Sequence, residues 1–107
     1  MKLPLKRPVR ALSSQKTSVA GIVTVFVGHS TAGITTIEYE PGALADFQRL
    51  LDQIAPMNDD YEHNRRAGDD NGYAHVRAAL VGPSVIVPFS DGRLQLGTWQ
   101  QIILADF

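Results

Sequence analysis

Apolar residues recur along the chain in short blocks whose spacing predicts strands and helices. The first block, Gly21 to His29, is rich in Val, Ile and Phe and is typical of a buried strand. Ile34 to Tyr39 is also β-branched and predicts a second strand, with Ser30 to Gly33 as the connection. Ahead of both, Val9 to about Lys16 has weak helical spacing.

The segment after Pro41 carries the strongest helical pattern in the chain. Its apolar residues fall on one helical face until Pro56 stops the helix: Leu44, Phe47, Leu50, Leu51 and Ile54. A second, shorter helix is predicted from Ala74 to Val81, where Gly82 and Pro83 end it.

The remaining segments complete an α+β pattern. Met57 to Gly72 is polar and is longer than a simple connection between two elements needs to be, so we interpret it as a functional loop. Ser84 to Phe89 and Arg93 to Trp99 flank a turn and predict a hairpin, and a last strand runs from Gln101 to about Ala105. The order of elements predicts a single two-layer α+β domain with a largely antiparallel or mixed sheet and helices packed on one face.

Composition narrows the function classes. The 107 residues suffice for one domain, and the formal charge of -1 gives no overall attraction to nucleic acid or to an anionic membrane. Cysteine is absent, which excludes disulfides, thiolate metal sites and cysteine nucleophiles. No apolar run reaches membrane-spanning length, and we expect a cytoplasmic protein.

The stretch Gly28-His29-Ser30-Thr31-Ala32 resembles a serine-hydrolase nucleophile turn but fails as one. That turn requires glycine at the last position and a helix after it, whereas here alanine is followed by a predicted strand. We therefore interpret Ser30 as a turn residue.

The three histidines, His29, His63 and His75, each lie beside small or polar residues where an element ends. Three imidazoles can hold a catalytic zinc ion and leave a position open for water or substrate. Their spacing matches no compact metal motif, so three ordinary histidines are the alternative from spacing alone. Glu38 and Asp69 or Asp70 offer a carboxylate as ligand, general base or orienting partner, or are simply solvated.

Four segments together resemble the YjbQ-type family, a group of small proteins named for weak, secondary thiamine-phosphate synthase activity. They are "HSTAGITTIE", "YEHN", "NGYAHVRAALVGPS" and "GRLQLGTWQQI". The resemblance implies a homotrimer with a pocket for a metal ion or an anion, and it unites His29, His63 and His75 in one metal site. Further candidate lining or catalytic residues carried over from the motifs are Glu38, Asn71, Trp99 and Gln100.

The resemblance also implies a domain organisation, a cofactor and a function. It implies one YjbQ-like domain over residues 1–107 with both ends shortened relative to the family, a divalent metal cofactor, with zinc as the candidate, and a small phosphorylated metabolite or anion as ligand. The implied transferase activity joins a pyrimidine diphosphate to a thiazole phosphate. Arg65 or Arg66 in the polar loop offers a guanidinium contact to phosphate, or both arginines are simply solvated. The alternatives are a metal-dependent hydrolase of a small metabolite, with Glu38 as base, and a non-catalytic trimeric metal- or metabolite-binding protein.

Overall fold

The computed structural model of this chain describes residues 20–107, which form five strands and three helices. In chain order they are β1 (Ala20–Phe26), β2 (Ala32–Glu38), α1 (Pro41–Ile54), α2 (Glu62–Ala67), α3 (Gly72–Val81), β3 (Ser84–Ser90), β4 (Arg93–Leu94) and β5 (Gln100–Asp106). No helix within this part of the chain is both long enough and apolar enough to cross a membrane.

Two of the three strand pairings join segments that are distant in sequence, and the third is a tight hairpin. β1 pairs with β3, which also pairs with β4, and β2 pairs with β5, and all three pairings are antiparallel. β1 and β2 are consecutive but belong to different sheets. The short connection between them therefore joins two sheets and is not a hairpin turn.

The two sheets share a hydrophobic core. Val23 and Val87 from the first sheet cluster with Ile34 and Ile102 from the second. Side chains alternate between the faces of a strand, so Ile103, which is fully buried, lies on the opposite face of β5 from Ile102. On that face α1 and α3 contact β2, the partner strand of β5, which explains why β5 is apolar on both faces from Ile102 to Ala105.

Helix α1 begins where the sequence predicted. Both carboxylate oxygens of Glu40 accept backbone N–H groups of the first turn, from Gly42 and Ala43, at 2.7 Å. These hydrogen bonds hold the pKa of Glu40 below its ordinary value. Leu51 is the buried residue of the apolar face, whereas Leu50 and Ile54 of the same helix are exposed.

Helix α3 is attached to the sheet at both of its ends. Its last residue packs against β2, and its first turn is hydrogen-bonded to residues next to the start of β2. A Cβ atom on Gly33 would lie 2.7 Å from Cγ1 of Val81, so the absence of a side chain permits the close approach of helix and strand. Near the start of α3, Tyr73 donates to the backbone oxygen of Phe107, whose N–H in turn donates to Thr31. These bonds place the beginning of α3 at the end of the molecule where β2 starts.

The predicted α+β class, the antiparallel strands and the helices α1 and α3 are confirmed. The expectation of a continuous loop from Met57 to Gly72 is wrong in part, because α2 forms inside it. The second arm of the predicted hairpin is reduced to Arg93–Leu94. The helical pattern predicted from Val9 to Lys16 lies outside the described residues.

Candidate functional site

Two of the predicted histidines meet at the junction of α2 and α3. The ring centroids of His63, on α2, and His75, on α3, are 4.4 Å apart, with the ring planes inclined at 59°. The connection between the two helices is only four residues long, from Gly68 to Asn71. A polar segment of the sequence is thus folded back so that histidines 12 positions apart share one surface.

The connection is fixed in place from both sides. Gly68 ends α2 in the left-handed conformation, with φ of 69°, which glycine adopts without strain. The N–H of Gly72 donates to the side-chain oxygen of Asn64 at 2.9 Å. A Cβ atom on Gly72 would lie 2.6 Å from Cβ of Tyr61, so only glycine fits there. The residues between the two glycines are therefore held in a defined conformation.

Asp69 and Asn71, on this connection, direct their side chains at His63. Nε2 of His63 lies 3.2 Å from Oδ1 of Asp69 and 3.0 Å from Oδ1 of Asn71. The Asn71 amide satisfies both neighbours when its nitrogen occupies this position, from which it donates to Asp69 Oδ1 at 2.9 Å and to His63 Nε2 at 3.0 Å. We call the four residues His63, Asp69, Asn71 and His75 the His63 cluster. The side chains of His63 and Asp69 are 39% and 41% exposed, so one side of the cluster is open to solvent.

The third histidine is not part of this cluster. His29 is exposed, just beyond the end of β1. Within residues 20–107, no three His, Cys, Asp or Glu side chains gather closely enough to hold a metal ion. The described part of a single chain therefore brings His63 and His75 together and does not complete the predicted three-histidine set.

The remaining predicted residues lie at the other end of β2. Glu38 and Gln100 face each other in the register of β2 and β5, and Gln100 donates from Nε2 to Oγ1 of Thr36 at 3.0 Å. Trp99 precedes Gln100 and is 73% exposed. A seven-residue strand is roughly 20 Å long, which separates Glu38 from the end of the molecule where α3 begins. Within one chain, only Asn71 of these four candidates joins the histidines.

The side chains of Arg65 and Tyr61, in and just before α2, already have hydrogen-bond partners. Arg65 pairs with both Asp60 and Glu62. These hydrogen bonds raise the pKa of Arg65 above its ordinary value, and the bond to Glu62 has the larger effect. Tyr61 donates its hydroxyl to the carbonyl of Pro56 at 2.7 Å, and burial raises its pKa. These contacts stabilise the segment ahead of α2. Arg65 is therefore held by carboxylates of its own segment.

Helix α2 and its contribution to the site were not predicted from the sequence. The helix is six residues long and has no buried residue, so it lacks the apolar stripe on which helix prediction depends. The sequence does contain its end signals, with Glu62 in the first turn, Arg65 and Arg66 in the last, and Gly68 after it. Asn64 and Tyr61 belong to the motif "YEHN", but the sequence does not reveal that they contact Gly72.

The fold and the polar surface on α2 and α3 define a small α+β protein with a histidine-containing surface site. The sequence pattern of the family described as "UPF0047 protein YjbQ-like" matches residues 4–107. The chain therefore belongs to the UPF0047 YjbQ-like family, which confirms the family predicted from its sequence motifs.

Individual relatives agree with this assignment. A UPF0047 protein of Archaeoglobus fulgidus is 39% identical over 87 residues, which cover 81% of this chain and 68% of that protein. A UPF0047 protein of Methanothermobacter thermautotrophicus is 42% identical over 86 residues, which cover 80% of this chain and 59% of that protein. The matched region thus spans roughly three fifths to two thirds of the length of these two curated relatives.

Solved structures show the same fold. The crystal structure of a hypothetical protein from Aeropyrum pernix superimposes with a TM-score of 0.83 at 31% identity, covering 97% of this chain and 76% of that one. An uncharacterized conserved protein of the YjbQ/UPF0047 family from Clostridium acetobutylicum gives a TM-score of 0.83 at 34% identity, covering 98% and 79%.

Proposed function

We propose that the protein binds a small anionic metabolite, with a phosphorylated compound as the leading candidate, through a divalent metal ion held at the His63 cluster. The observation that carries this proposal is the convergence of His63, Asp69 and Asn71 within 3.2 Å of one another on a fixed, solvent-open surface. Imidazole and carboxylate are common metal ligands in proteins, and the Asn71 amide would present its oxygen to an ion after turning by 180°.

A bound divalent ion would supply positive charge to an anion that binds to or leaves this surface. Asp69 and Asn71 orient the imidazole of His63, and the exposed side of the cluster admits the ligand. Arg66 is the arginine of α2 able to contact a phosphate, because Arg65 is paired with Asp60 and Glu62. In this proposal, weak thiamine-phosphate synthase activity is a secondary use of the site, since that reaction requires stabilisation of departing pyrophosphate.

The geometry gives unequal support to the alternative functions, a hydrolase and a non-catalytic binding protein. A hydrolase with Glu38 as base receives no support within one chain. Glu38 is the last residue of β2, whereas the His63 cluster lies toward the end of the molecule where β2 starts. A non-catalytic metal- or metabolite-binding protein requires the same site and differs only in turnover. A three-histidine set requires His29 from another copy of the chain, which the homotrimer that we propose would supply.

The test is a metal-binding measurement on the purified protein. We expect the parent to retain or take up about one divalent ion per chain, measured by plasma mass spectrometry after dialysis against Mn²⁺ or Zn²⁺. His63→Ala is expected to lower the occupancy at least tenfold, because it removes the residue that contacts every other member of the cluster. Circular dichroism checks that the variant is folded.

His29→Ala is the matched control, since it removes an exposed histidine outside the cluster. Unchanged metal content in this variant supports a site confined to α2 and α3. Loss of metal in both variants favours the three-histidine set, completed between copies. A parent that binds neither ion under any loading condition would overturn the proposal of a metal-dependent site.

A further inference from the structure

Packing at the start of α3 requires glycine after Asn71, and the result is an Asn-Gly pair. Gly72 is buried, and a Cβ atom on it would lie 2.6 Å from Cβ of Tyr61. Asparagine loses its side-chain amide most readily when glycine follows it, because glycine has no side chain to hinder its own backbone nitrogen. This is the one Asn-Gly pair in the sequence.

Deamidation begins when the backbone nitrogen of Gly72 attacks Cγ of Asn71. A bond forms between these two atoms and the bond from Cγ to the amide nitrogen breaks, so that ammonia leaves with the proton of the Gly72 N–H. Water then opens the resulting succinimide ring at either carbonyl, which gives aspartate or isoaspartate at position 71. Water is the only co-reactant, and the reaction therefore depends on whether the two atoms can meet.

The folded backbone keeps the two atoms apart. Asn71 has a ψ of 20°, so the nitrogen of Gly72 is nearly eclipsed with the backbone nitrogen of Asn71 and is turned away from its side chain. The N–H of Gly72 donates to Oδ1 of Asn64 at 2.9 Å. The carbonyl of Asn71 accepts from the N–H groups of Ala74 at 3.0 Å and of His75 at 3.3 Å. Rotation about ψ toward the reactive geometry breaks all three hydrogen bonds.

The side chain of Asn71 is held as well. In the orientation that satisfies both neighbours, its nitrogen donates to Oδ1 of Asp69 at 2.9 Å and to Nε2 of His63 at 3.0 Å. Deamidation replaces this donor by a carboxylate, which only accepts. The product therefore loses both donated bonds and places two like charges side by side at positions 69 and 71.

We infer that Asn71-Gly72 is a latent deamidation site, which the contacts between α2 and α3 close in the folded molecule and which detachment of α2 opens. Helix α2 is six residues long and buries none of them, so it can detach without unfolding of the whole domain. Because loss of ammonia is irreversible, the reaction removes the Asn71 amide from the His63 cluster permanently. The inference does not depend on metal binding.

The test is the rate of deamidation in the folded parent, Asn64→Ala, Asn64→Asp and Gly33→Ala, each checked by circular dichroism. Trypsin cleaves after Arg66 and Arg77 and releases residues 67–77 as one peptide. Mass spectrometry measures the deamidated fraction of this peptide after increasing times in mildly alkaline buffer. A sample digested before incubation corrects for reaction during digestion, and the same peptide free in solution gives the unprotected rate.

We expect the parent to react at least about tenfold more slowly than the free peptide, because the reaction waits for α2 to detach. Asn64→Ala is expected to react about fivefold faster than the parent, because the Gly72 N–H loses its acceptor. Asn64→Asp keeps an acceptor oxygen and should stay within about twofold of the parent. Gly33→Ala is the matched control, because it strains the other end of α3, and its rate should also stay within about twofold.

Deamidation of the parent at the rate of the free peptide would overturn the inference. Equal acceleration in Asn64→Ala and Gly33→Ala would show that the reaction follows global unfolding and not detachment of α2. An Asn64→Asp rate as high as that of Asn64→Ala would exclude the hydrogen bond to Gly72 as the lock.

Hydrogen exchange at the Gly72 amide of the parent is a second measurement that needs no variant. Its protection should equal the slowing of deamidation to within about threefold, since both report the same opening. A strongly protected amide in a protein that deamidates freely would contradict the inference, whatever the variants show.

Discussion

At the scale of single residues, Arg77 is the most instructive side chain outside the site. It is 4% exposed, the only charged side chain among residues 20–107 that is buried to this degree. Its Nε donates to the carbonyl of Ala55 at 2.9 Å and its NH2 group to Asp52 at 3.0 Å, while its guanidinium lies 5.1 Å from the centre of the Tyr73 ring. One side chain therefore joins α3 to the end of α1.

We expect Arg77→Met to lower the free energy of unfolding by about 2–4 kcal/mol, because the buried carbonyl of Ala55 loses its donor and the packing on Tyr73 changes. Urea denaturation followed by circular dichroism measures the effect. Asp52→Asn is the matched control, and its cost should be below about 1 kcal/mol, because the Asp52 side chain is 57% exposed and the amide oxygen still accepts. Equal losses for the two substitutions would mean that the ion pair, and not burial, dominates.

At the scale of elements, the contact between α3 and β2 decides where the site lies. Gly33 allows Val81 to approach the strand, and the N–H of Ile34 donates to the carbonyl of Gly82 at 2.9 Å. These contacts fix the end of α3, and the bond from Tyr73 to Phe107 fixes its other end. The position of His75 and of the connection before α3 follows from both attachments.

Gly33→Ala tests this attachment. The added Cβ would lie 2.7 Å from Val81 and 3.0 Å from the carbonyl of Gly82, so we expect about 1–3 kcal/mol of destabilisation through overpacking. Gly28→Ala is the control, because its nearest neighbour would be Phe26 at 3.6 Å, an ordinary contact distance. Thermal unfolding of both variants gives the comparison, and similar melting temperatures would show that α3 shifts without cost.

At the scale of the whole molecule, one face of the sheet formed by β1 and β3 is apolar and uncovered by residues 20–107. Ile22, Phe26 and Ile86 are between 63% and 67% exposed, and they alternate with the core residues of the same strands. Exposed apolar patches of this kind mark interaction surfaces in folded proteins. This face is where we expect the proposed trimer to form contacts.

Phe26→Arg, alone and combined with Ile86→Arg, is expected to convert the assembled protein to monomers. A charge placed in an apolar interface is desolvated without a partner, which disfavours association. Light scattering coupled to size exclusion measures the mass, and Gln53→Arg, on exposed α1, controls for the added charge. A parent that is monomeric at micromolar concentration would contradict the trimer, and an unchanged trimer in the double variant would place the interface elsewhere.

The periodicity of the sequence predicted those elements that bury a face of their own. Strands β1, β2, β3 and β5 and helices α1 and α3 were predicted because each has apolar residues at the spacing of its fold. The short helix α2 was missed because it buries none of its residues. A helix without a buried face has no periodic apolar residues from which it can be predicted. The Ser30 stretch was correctly assigned to a turn, since the sequence rules for a nucleophile turn are local.

The sequence by itself determined the element types, the family and the residue types available for chemistry, because local spacing and motifs encode these directly. Tertiary structure decided which of those residues meet. Pairing of β2 with β5 carries Glu38 to one end of the molecule, while the folding of α2 onto α3 brings His63 to Asp69 and Asn71. These outcomes depend on long-range packing and on backbone turns at Gly68 and Gly72, which the spacing of histidines along the chain does not record.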